Sequence, residues 1–392
     1  MTERNGVAQQ RGFGAAGSQG LSADPAKDEK PSSTVLIVGA NGQIGYALAD
    51  RYRRLLPPGK LLGLVTMPRE ALDVTDRDAV LSRLSEISPD VVINCAAFTD
   101  ASEAERQRQK CWKTNVTGVR YLAEACQRIK AVLIHFSSDF VFGEDPEPLE
   151  KLKLLRTYRN AGMLDELPAG FHVAYREDSV TCPSGFYGYS KLASEHVLLE
   201  MGEAHPEFHY WVIRTAGLFE SPWRYYRNFP SAILGRLRAG AEAVPVVADV
   251  YTNLCHASHL AAAVVWMVSQ YRRSCREVPW PPRGIYHIAN EGVTTWYQAA
   301  LRIAEKSNFP MKRIVPISAQ EYSQKFLRGR SAVQDAHYSG LHLGKYHNLP
   351  GAPTMQTWQL AIDLWCRESL RSSPSPAISG ELAEMVRSSD CD

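Results

Sequence analysis

The chain has 392 residues, of which 45% are hydrophobic and 22% charged, a composition typical of globular proteins rather than disordered ones. Its 44 lysines and arginines nearly balance 42 acidic residues, and the formal charge of +2 excludes the basic surface that nucleic acids or anionic membranes require. No apolar run approaches the ~20 residues of a membrane-spanning helix, and the amino-terminal segment lacks the apolar core of a signal peptide. The eight cysteines are dispersed without a CxxC pair, which is typical of free thiols in the cytoplasm.

Short apolar strands alternate with helical patterns through the first half of the chain. Residues 1–33 are rich in Gly, Ala, Ser, Gln and charge, and we predict a disordered tail there. The strands are predicted at 34–39, 61–65, 91–97, 131–137 and 210–219, and the helices at 43–56, 76–88, 113–129 and 188–202. Strands that are apolar throughout belong to a parallel sheet covered on both faces. The pattern therefore predicts an α/β fold with a Rossmann-type doubly wound parallel sheet.

The signals become mixed beyond residue 220. Helices are predicted at 229–239, 257–271, 294–307 and 355–369, with short strands at 245–248, 285–289 and 313–317. We expect a smaller mixed α/β substrate-binding lobe at the carboxyl edge of the sheet, where α/β enzymes bind substrates. The predicted organisation is a tail at 1–33, an NAD(P)-binding Rossmann domain at 34–220 with an insertion at 145–172, a lobe mainly over 221–370 from which some segments return to the first domain, and a flexible tail at 371–392.

A glycine-rich turn follows the first predicted strand. Strand 34–39 leads into GANGQIG, a GxxGxxG pattern formed by Gly39, Gly42 and Gly45 at the start of a helix. The first glycine permits a tight turn, the second lets the backbone approach a pyrophosphate, and the third lets helix and strand pack closely. This placement predicts a dinucleotide site, and the alternative is a glycine-rich loop without a ligand.

The end of the second strand bears on which dinucleotide is bound. No carboxylate lies directly at the tip of strand 61–65, where an NAD-preferring protein would hold the ribose hydroxyls. Arg69 follows that strand and could meet a 2′-phosphate instead. The sequence therefore favours NADPH over NADH, although Arg69 can also be an ordinary loop arginine.

A YxxxK element supplies candidate catalytic groups. Tyr187 and Lys191 share one helical face, where an ammonium group would lower the tyrosine pKa from its reference of ~10 and allow proton transfer near neutrality. Tyr189 lies off that face. Upstream, strand 131–137 leads into Ser138, a hydroxyl at the carboxyl end of a central strand that is placed to hydrogen-bond a substrate carbonyl.

These residues stand among motifs that carry a family resemblance. GANGQIG, LDVTD, PDVVINCAAFT, KTNVTGVRYLAEAC, HFSSDFVF, YGYSKLASE, VIRTAG and RNF occur in that order. The order resembles the extended short-chain dehydrogenase/reductases, and specifically the dTDP-4-dehydrorhamnose reductase family. The resemblance implies reduction of a 4-keto-6-deoxy sugar nucleotide by NAD(P)H, with Tyr187 as proton donor and Lys191 on the nicotinamide ribose.

The resemblance also implies further contacts. On the cofactor it places Gly42, Gln43, Ile44, Asp73, Val74, Cys95, Ala96, Ala97 and Asn115. On the substrate it places Ser138, Asp139, Asn228 and Phe229. Phe140 stands where sugar-nucleotide 4,6-dehydratases have a second carboxylate, so water elimination is disfavoured. Gly217 replaces a substrate-contacting tryptophan, and the segment 252–255 lacks the family's proline, which puts the sugar pocket and dimer mode in question.

Three other segments have two interpretations each. Cys255, His256 and His259 suggest zinc, but no second ligand pair follows at metal spacing, so we expect a helix cap and no metal. The aromatic cluster 223–227 could contact a substrate or hold the second lobe. The insertion 145–172 could form a lid or an oligomer contact, or be a solvated surface excursion.

The leading hypothesis is a sugar-nucleotide ketoreductase that uses NADPH or NADH, with a small-molecule substrate and a homodimer as the possible assembly. A second hypothesis is another extended reductase or epimerase that acts on a different nucleotide sugar or tailoring intermediate. A third is a non-catalytic NADP-binding subunit that resembles the regulatory subunit of methionine adenosyltransferase. Retention of Ser138, Tyr187 and Lys191 weighs against the third.

Overall fold

Six parallel strands form the central sheet of the computed structural model. The structure describes residues 34–55, 63–143, 150–151, 153–154, 157, 173–220, 228–274, 279–326 and 338–371. The predicted tail 1–33, most of the insertion 145–172, the cluster 223–227 and nearly all of the tail 371–392 lie outside these residues.

The strands and helices are numbered in chain order. The strands are β1 (Val35–Val38), β2 (Leu64–Met67), β3 (Val91–Asn94), β4 (Val132–Ser138), β5 (Tyr210–Thr215), β6 (Leu218–Phe219), β7 (Val244–Val247), β8 (Tyr251–Asn253), β9 (Cys255–His256), β10 (Gly284–His287), β11 (Val293–Thr295) and β12 (Ile314–Ile317). The α-helices are α1 (Gln43–Leu55), α2 (Arg77–Ile87), α3 (Ala101–Arg106), α4 (Arg108–Trp112), α5 (Gly118–Ile129), α6 (Phe186–Ala204), α7 (Phe229–Arg238), α8 (Ala257–Arg273), α9 (Trp296–Lys306), α10 (Ala319–Phe326), α11 (Gly344–His347) and α12 (Trp358–Arg371). A π-helical turn spans Lys113–Thr117, and 3₁₀ turns span Asp139–Val141 and Met311–Arg313.

The sheet order β10-β5-β4-β3-β1-β2 is that of a doubly wound fold, which confirms the predicted fold class. In β1, Val35 and Ile37 point into a core that α1 and α8 cover, whereas Leu36 and Val38 point into a second core with α2 and α5. Both faces of the sheet are therefore buried, which explains why its inner strands are apolar throughout. The sheet reverses its winding between β1 and β3, where such folds bind their ligands.

The later chain contributes to both parts of the molecule. Strand β10 pairs with β5, and α8 packs on α1, so these segments complete the central sheet and one of its helical layers. Helices α7, α9 and α12 enclose a separate apolar cluster around Trp365, which is fully buried. The predicted domain boundary at residue 220 stays a prediction.

Several predicted elements differ from the structure in their bounds. The second strand lies at 64–67 rather than 61–65, because the chain turns at Gly63 (φ 141°) before pairing with β1. The predicted helix 113–129 is preceded by α3 and α4, whose polar surface residues conceal their periodicity, and Asp100 caps α3. The predicted strand 210–219 is interrupted at Gly217, which has φ 48°.

A buried ion pair joins helix α6 to strand β5. Arg214 donates to both carboxylate oxygens of Glu195, at 2.9 and 2.7 Å, and the two side chains are only 3% and 1% exposed. Ser137 on β4 donates to the same carboxylate, and the Arg214 guanidinium lies 5.0 Å above the Phe142 ring. Two desolvated charges are stable only while paired, so this contact holds α6 in one position on the sheet.

We expect Glu195→Gln and Arg214→Met each to lower the free energy of unfolding by about 3–5 kcal/mol, because each leaves one buried charge without its partner. Urea unfolding measures the loss. Arg54→Ala is the control, since Arg54 pairs with Asp50 on the surface and should cost less than about 1 kcal/mol. Equal losses in the three variants would show that burial of the Glu195–Arg214 pair has no special weight.

Candidate active site

A cavity of about 220 Å³ opens at the carboxyl ends of β1, β2 and β3. Its walls contain eight residues that the sequence predicted for the cofactor, together with others that the sequence did not indicate. The lining residues are Gly39, Asn41, Gly42, Arg69, Glu70, Leu72, Asp73, Val74, Cys95, Ala96, Ala97, Phe98, Lys110 and Thr114. The cavity therefore brings together the glycine turn, the segment after β2 and the segment after β3.

Two glycines of the turn lie too close to neighbouring backbone for any side chain to fit. Gly39 has φ 72°, and a Cβ there would lie 2.5 Å from the backbone nitrogen of Ala96. A Cβ on Gly45 would lie 2.5 Å from the carbonyl oxygen of Gly39. Both glycines are therefore required by close backbone approach, as their positions in the motif predict.

The start of α1 presents polar groups to an anion. The amides of Gln43, Ile44 and Gly45 precede the first intrahelical hydrogen bond, which runs from the Tyr46 amide to the Gly42 carbonyl. The Gln43 Oε1 atom is buried and has no hydrogen-bond partner within the described chain. The free amides at the helix amino end fit a dinucleotide diphosphate, whereas the Gln43 oxygen can only accept and requires a donor.

The segment after β2 carries opposite charges. Arg69 Nη2 lies 3.5 Å from Asp73 Oδ2, and Asp73 Oδ1 accepts from the Thr75 amide at 2.9 Å and from the Thr75 hydroxyl at 2.8 Å. The Thr75 amide, with the Thr75 hydroxyl and Arg69, lowers the pKa of Asp73 although partial burial opposes them. Glu70, which the sequence analysis did not single out, also lines the cavity here. Val74 is buried against Gly118 at the start of α5.

Asn115 lies in the π-helical turn and holds the segment after β3. Its side chain accepts from the Phe98 amide at 2.8 Å and donates to the Phe98 carbonyl at 3.1 Å and to Ser190 Oγ at 2.9 Å. The side chain is buried and its amide is occupied by these bonds. Asn115 thus links the cavity wall to helix α6, and its predicted cofactor contact stays a prediction.

The three predicted catalytic residues come together one strand beyond β3. Ser138 ends β4, and its hydroxyl is hydrogen-bonded to Tyr187 and, at 3.0 Å, to Asp139 Oδ1. An ionised carboxylate only accepts, so Ser138 donates to Asp139. Lys191 lies one turn after Tyr187 on α6 and is 1% exposed.

Helix α6 approaches this turn unusually closely. A Cβ on Gly188 would lie 2.2 Å from the Phe140 carbonyl oxygen, and the Phe140 and Tyr187 rings meet edge to face at 5.3 Å. At the helix start, Glu105 accepts from the Phe186 amide at 2.6 Å. Partial burial raises the pKa of Glu105, but this bond and Arg108 outweigh it and keep the pKa below its ordinary value. These contacts fix the first turn of α6, which carries Tyr187.

The expected effect of Lys191 on Tyr187 is not found. Burial raises the pKa of Tyr187, the hydrogen bond with Ser138 opposes this only in part, and the nearby Asp139 charge adds to the rise. Burial also lowers the pKa of Lys191 to about 8, against the opposing charge of Glu195. The prediction of a lowered tyrosine pKa is therefore wrong for this structure, because desolvation is the largest influence on the Tyr187 pKa. Tyr187 keeps its proton.

Asp139 connects the catalytic turn to two distant segments. Its Oδ2 accepts from Thr252 Oγ1 at 3.0 Å and from Ser339 Oγ at 2.6 Å, while Oδ1 accepts from Ser138. The carboxylate is 2% exposed, and burial raises its pKa although the three hydroxyls oppose this. Asp139 thereby positions Ser138 against β8 and the 338–341 segment. Its predicted contact with substrate stays a prediction.

A second set of buried hydrogen bonds connects the Lys191 backbone to strands β4 and β3. Ser194 Oγ donates to the Lys191 carbonyl at 2.6 Å and lies 2.9 Å from His135 Nε2, while His135 Nδ1 lies 3.2 Å from Asn94 Nδ2. Burial, with the nearby Lys191 charge, holds the pKa of His135 well below its ordinary range, so the ring is neutral. The sequence analysis missed Ser194 and Glu195, although their spacing of three and four residues from Lys191 places them on the same helical face.

Two predicted substrate residues have structural contacts in the second lobe. Asn228 caps α7 by accepting from the Ser231 amide at 3.0 Å, and it donates to the Glu220 carbonyl at 3.0 Å. The Phe229 ring packs 4.7 Å from that of Trp296. At Gly217 a Cβ would lie 2.5 Å from the Asn253 carbonyl oxygen, so this backbone excludes the tryptophan of the family pattern.

The motif around Cys255 and His256 caps a helix in the structure. His256 caps α8, where its Nδ1 accepts from the Ser258 amide at 3.2 Å, as the cap interpretation predicts. Within the described ranges no cluster of three or more His, Cys, Asp or Glu side chains could hold a metal ion. In the same part of the chain, no helix has the length and apolarity needed to span a membrane.

The burial of Lys191 predicts a pH-dependent stability. Its pKa of about 8 lies below the ordinary 10.5, so the folded chain releases this proton first as pH rises. Below pH 8 both states hold the proton and the buried charge is destabilising, whereas between 8 and 10.5 the wild type gains stability. Urea unfolding measures the free energy of unfolding of wild type and of Lys191→Met. Between pH 8 and 10.5 the difference between the two should shift by about 1–3 kcal/mol in favour of wild type. A difference independent of pH would contradict the lowered pKa.

Comparison with known proteins agrees with this geometry. The family model described as RmlD substrate binding domain matches residues 33–363. The dTDP-4-dehydrorhamnose reductase of Streptomyces griseus is 29% identical over 307 residues, which is 78% of this chain and 86% of that protein. The enzyme of the same name from Mycolicibacterium smegmatis is 30% identical over 291 residues, covering 74% of this chain and 73% of the relative.

A solved structure shares the whole architecture. The crystal structure of dTDP-4-dehydrorhamnose reductase from Bacillus anthracis in complex with NADP superposes with a TM-score of 0.67 at 25% identity, and it covers 87% of this chain and 100% of that one. The match includes the cavity, the Ser138 turn and helix α6. The chain therefore belongs to the RmlD substrate binding domain family, in which its relatives are dTDP-4-dehydrorhamnose reductases.

Proposed function

We propose that this protein is an NAD(P)H-dependent oxidoreductase that reduces the keto group of a nucleotide-activated deoxysugar such as dTDP-4-dehydrorhamnose. The observation that carries the proposal is the contact between Ser138 and Tyr187, with Lys191 one helical turn away, at the sheet edge that also holds the cavity lined by the glycine turn. The family relationship supports the reaction class and the choice of substrate.

In the proposed reaction a bound nicotinamide supplies the hydride. Tyr187 gives its proton to the developing alkoxide oxygen, and its raised pKa means that the proton is present when the ketone arrives. Ser138 holds the carbonyl oxygen beside the phenol. Lys191 places a buried positive charge next to the site, where it stabilises the phenolate that remains after proton transfer.

The cofactor is proposed to lie across the glycine turn with its adenosine towards β2. Gly39, Gly42 and Gly45 shape the turn, and Gln43 and Ile44 present amides to the diphosphate. Arg69 and Asp73 flank the adenosine ribose, with Val74 beneath it, and Cys95, Ala96 and Ala97 line the opposite wall. NADPH is favoured because Arg69 offers a cation where the ribose 2′ position would lie.

Two structural features bear on which sugar nucleotide is the substrate, and they give a second candidate. Gly217 leaves no space for the tryptophan of the family pattern, and Thr252 is committed to Asp139. The second candidate is therefore a nucleotide sugar that differs from dTDP-4-dehydrorhamnose in its sugar or nucleotide. For either candidate, Asp139, Asn228 and Phe229 are the proposed substrate-side residues. An epimerase or a non-catalytic NADP-binding subunit is the alternative class.

We further propose a cytoplasmic location and a homodimer. The dispersed thiols support the former. Sedimentation of the purified chain tests the dimer.

Purified protein should oxidise NADPH when dTDP-4-dehydrorhamnose is added, and Tyr187→Phe should lower kcat by about 10²–10⁴-fold because the proton donor is lost. NADPH binding should be unchanged in the variant. Tyr189→Phe is the matched control, since Tyr189 lies on the same helix but is 55% exposed, and its activity should equal wild type. Cofactor binding without turnover of any keto sugar would contradict the enzyme proposal and favour a binding subunit.

Arg69→Ala should weaken NADPH binding by roughly tenfold and leave NADH binding nearly unchanged, because the lost charge-assisted bond is to the 2′-phosphate. Titration calorimetry with both dinucleotides measures the difference. Arg83→Ala serves as control, since Arg83 pairs with Glu86 on the surface of α2. Equal losses for NADPH and NADH would show that Arg69 does not read the phosphate.

A further inference from the structure

The sheet order orients a dinucleotide across the cavity. Arg69 follows β2 at one end of the order β2-β1-β3-β4, and Ser138 ends β4 at the other. The start of α1 follows β1, and the Gly39 turn touches Ala96 after β3, so the diphosphate position lies between β1 and β3. A group that reaches the cavity from the β3 side therefore lies across the diphosphate position from the β2 segment that carries Arg69.

Lys110 on α4 reaches the cavity from that side. Its Nζ lies 5.9 Å from the centre of the Phe98 ring, and both residues line the cavity. The two Asn115 hydrogen bonds fix the Phe98 backbone, and the contact between Cys111 and Ser190 (3.3 Å) fixes the next residue of α4. These bonds hold the segment that carries Lys110 beside the cavity, and the Lys110 side chain is exposed.

The charges of the cavity are unevenly distributed. The wall after β2 contains Arg69, Glu70 and Asp73. The Arg69 guanidinium there already lies 3.5 Å from the Asp73 carboxylate. Lys110 is the only charged residue that the described chain contributes to the lining from the β3 side, and it has no ion-pair partner within the described ranges. An unpaired cation facing a cavity that receives a diphosphate is stabilised when the ligand binds.

We propose that Lys110 is the diphosphate-binding cation of this cavity, separate from Arg69 at the ribose. The proposal rests on the dinucleotide binding put forward under Proposed function and adds a residue that the glycine motif does not contain. Lys110 contacts the part that NADPH and NADH share. It therefore contributes to affinity without selecting between the two cofactors, whereas Arg69 selects.

The test compares three ligands by titration calorimetry: NADPH, NADH and adenosine 2′-monophosphate, which has the 2′-phosphate but no diphosphate. Lys110→Ala should raise the Kd for both dinucleotides by about tenfold and leave the adenosine 2′-monophosphate Kd unchanged. Arg69→Ala should show the reverse selectivity, with a loss for NADPH and adenosine 2′-monophosphate. Lys110→Arg should restore most of the dinucleotide affinity because the charge is kept.

Lys113→Ala is the matched control, because Lys113 is exposed on the following turn and does not line the cavity. Unchanged dinucleotide affinity in Lys110→Ala, or a loss confined to NADPH, would overturn the assignment. Wild-type protein that binds neither dinucleotide would overturn the cofactor proposal and the assignment together. Wild-type protein that binds them but reduces no keto sugar would contradict only the reaction, and the Lys110 test would still be decided by the affinities.

Discussion

The buried ion pair between Glu195 and Arg214 is the constraint on which the active-site geometry depends. Neither charge can be hydrated, so the helix that carries Glu195 has one stable position on the strand that carries Arg214. Lys191 and Tyr187 lie one and two turns upstream on the same helix, and their positions follow from that contact. The close approach of Gly188 to Phe140 is possible only when the helix is seated in this way.

Above that ion pair, the site consists of groups whose protons have defined directions. Ser138 donates to Asp139, which also accepts from hydroxyls on β8 and in the 338–341 segment, and Tyr187 lies in contact with Ser138. Such a network is rigid because every buried polar group in it has a partner. A ketone that binds between Ser138 and Tyr187 meets the Tyr187 proton directly, and the Ser138 hydroxyl donates to it by turning away from Asp139. The cost is the burial of Lys191 without an adjacent carboxylate contact, an instance of stability exchanged for function.

The sequence was sufficient for the parallel sheet, the glycine turn and the YxxxK element, because each is written in local periodicity or spacing. It was insufficient wherever the contact joins distant segments. Nothing in the local sequence indicates that Ser339 and Thr252 meet Asp139, or that Lys110 reaches the cavity opposite Gly42. The prediction of a lowered pKa for Tyr187 was wrong for a related reason. Helical spacing identifies the neighbouring charge of Lys191 but not the burial that raises the tyrosine pKa. Gly217 shows the same limit, because the sequence indicates an altered sugar pocket there but not the Asn253 backbone that leaves no room for a side chain.

The central claim is that this site transfers hydride to a sugar carbonyl while Tyr187 supplies the proton. The most direct measurement is to incubate the protein with dTDP-4-dehydrorhamnose and NADPH that carries deuterium at nicotinamide C4, and to examine the recovered sugar by NMR. We expect one deuterium on the former keto carbon in the presence of wild-type protein and none with Tyr187→Phe over the same time. A sugar recovered without deuterium, from protein that demonstrably binds NADPH, would contradict the account.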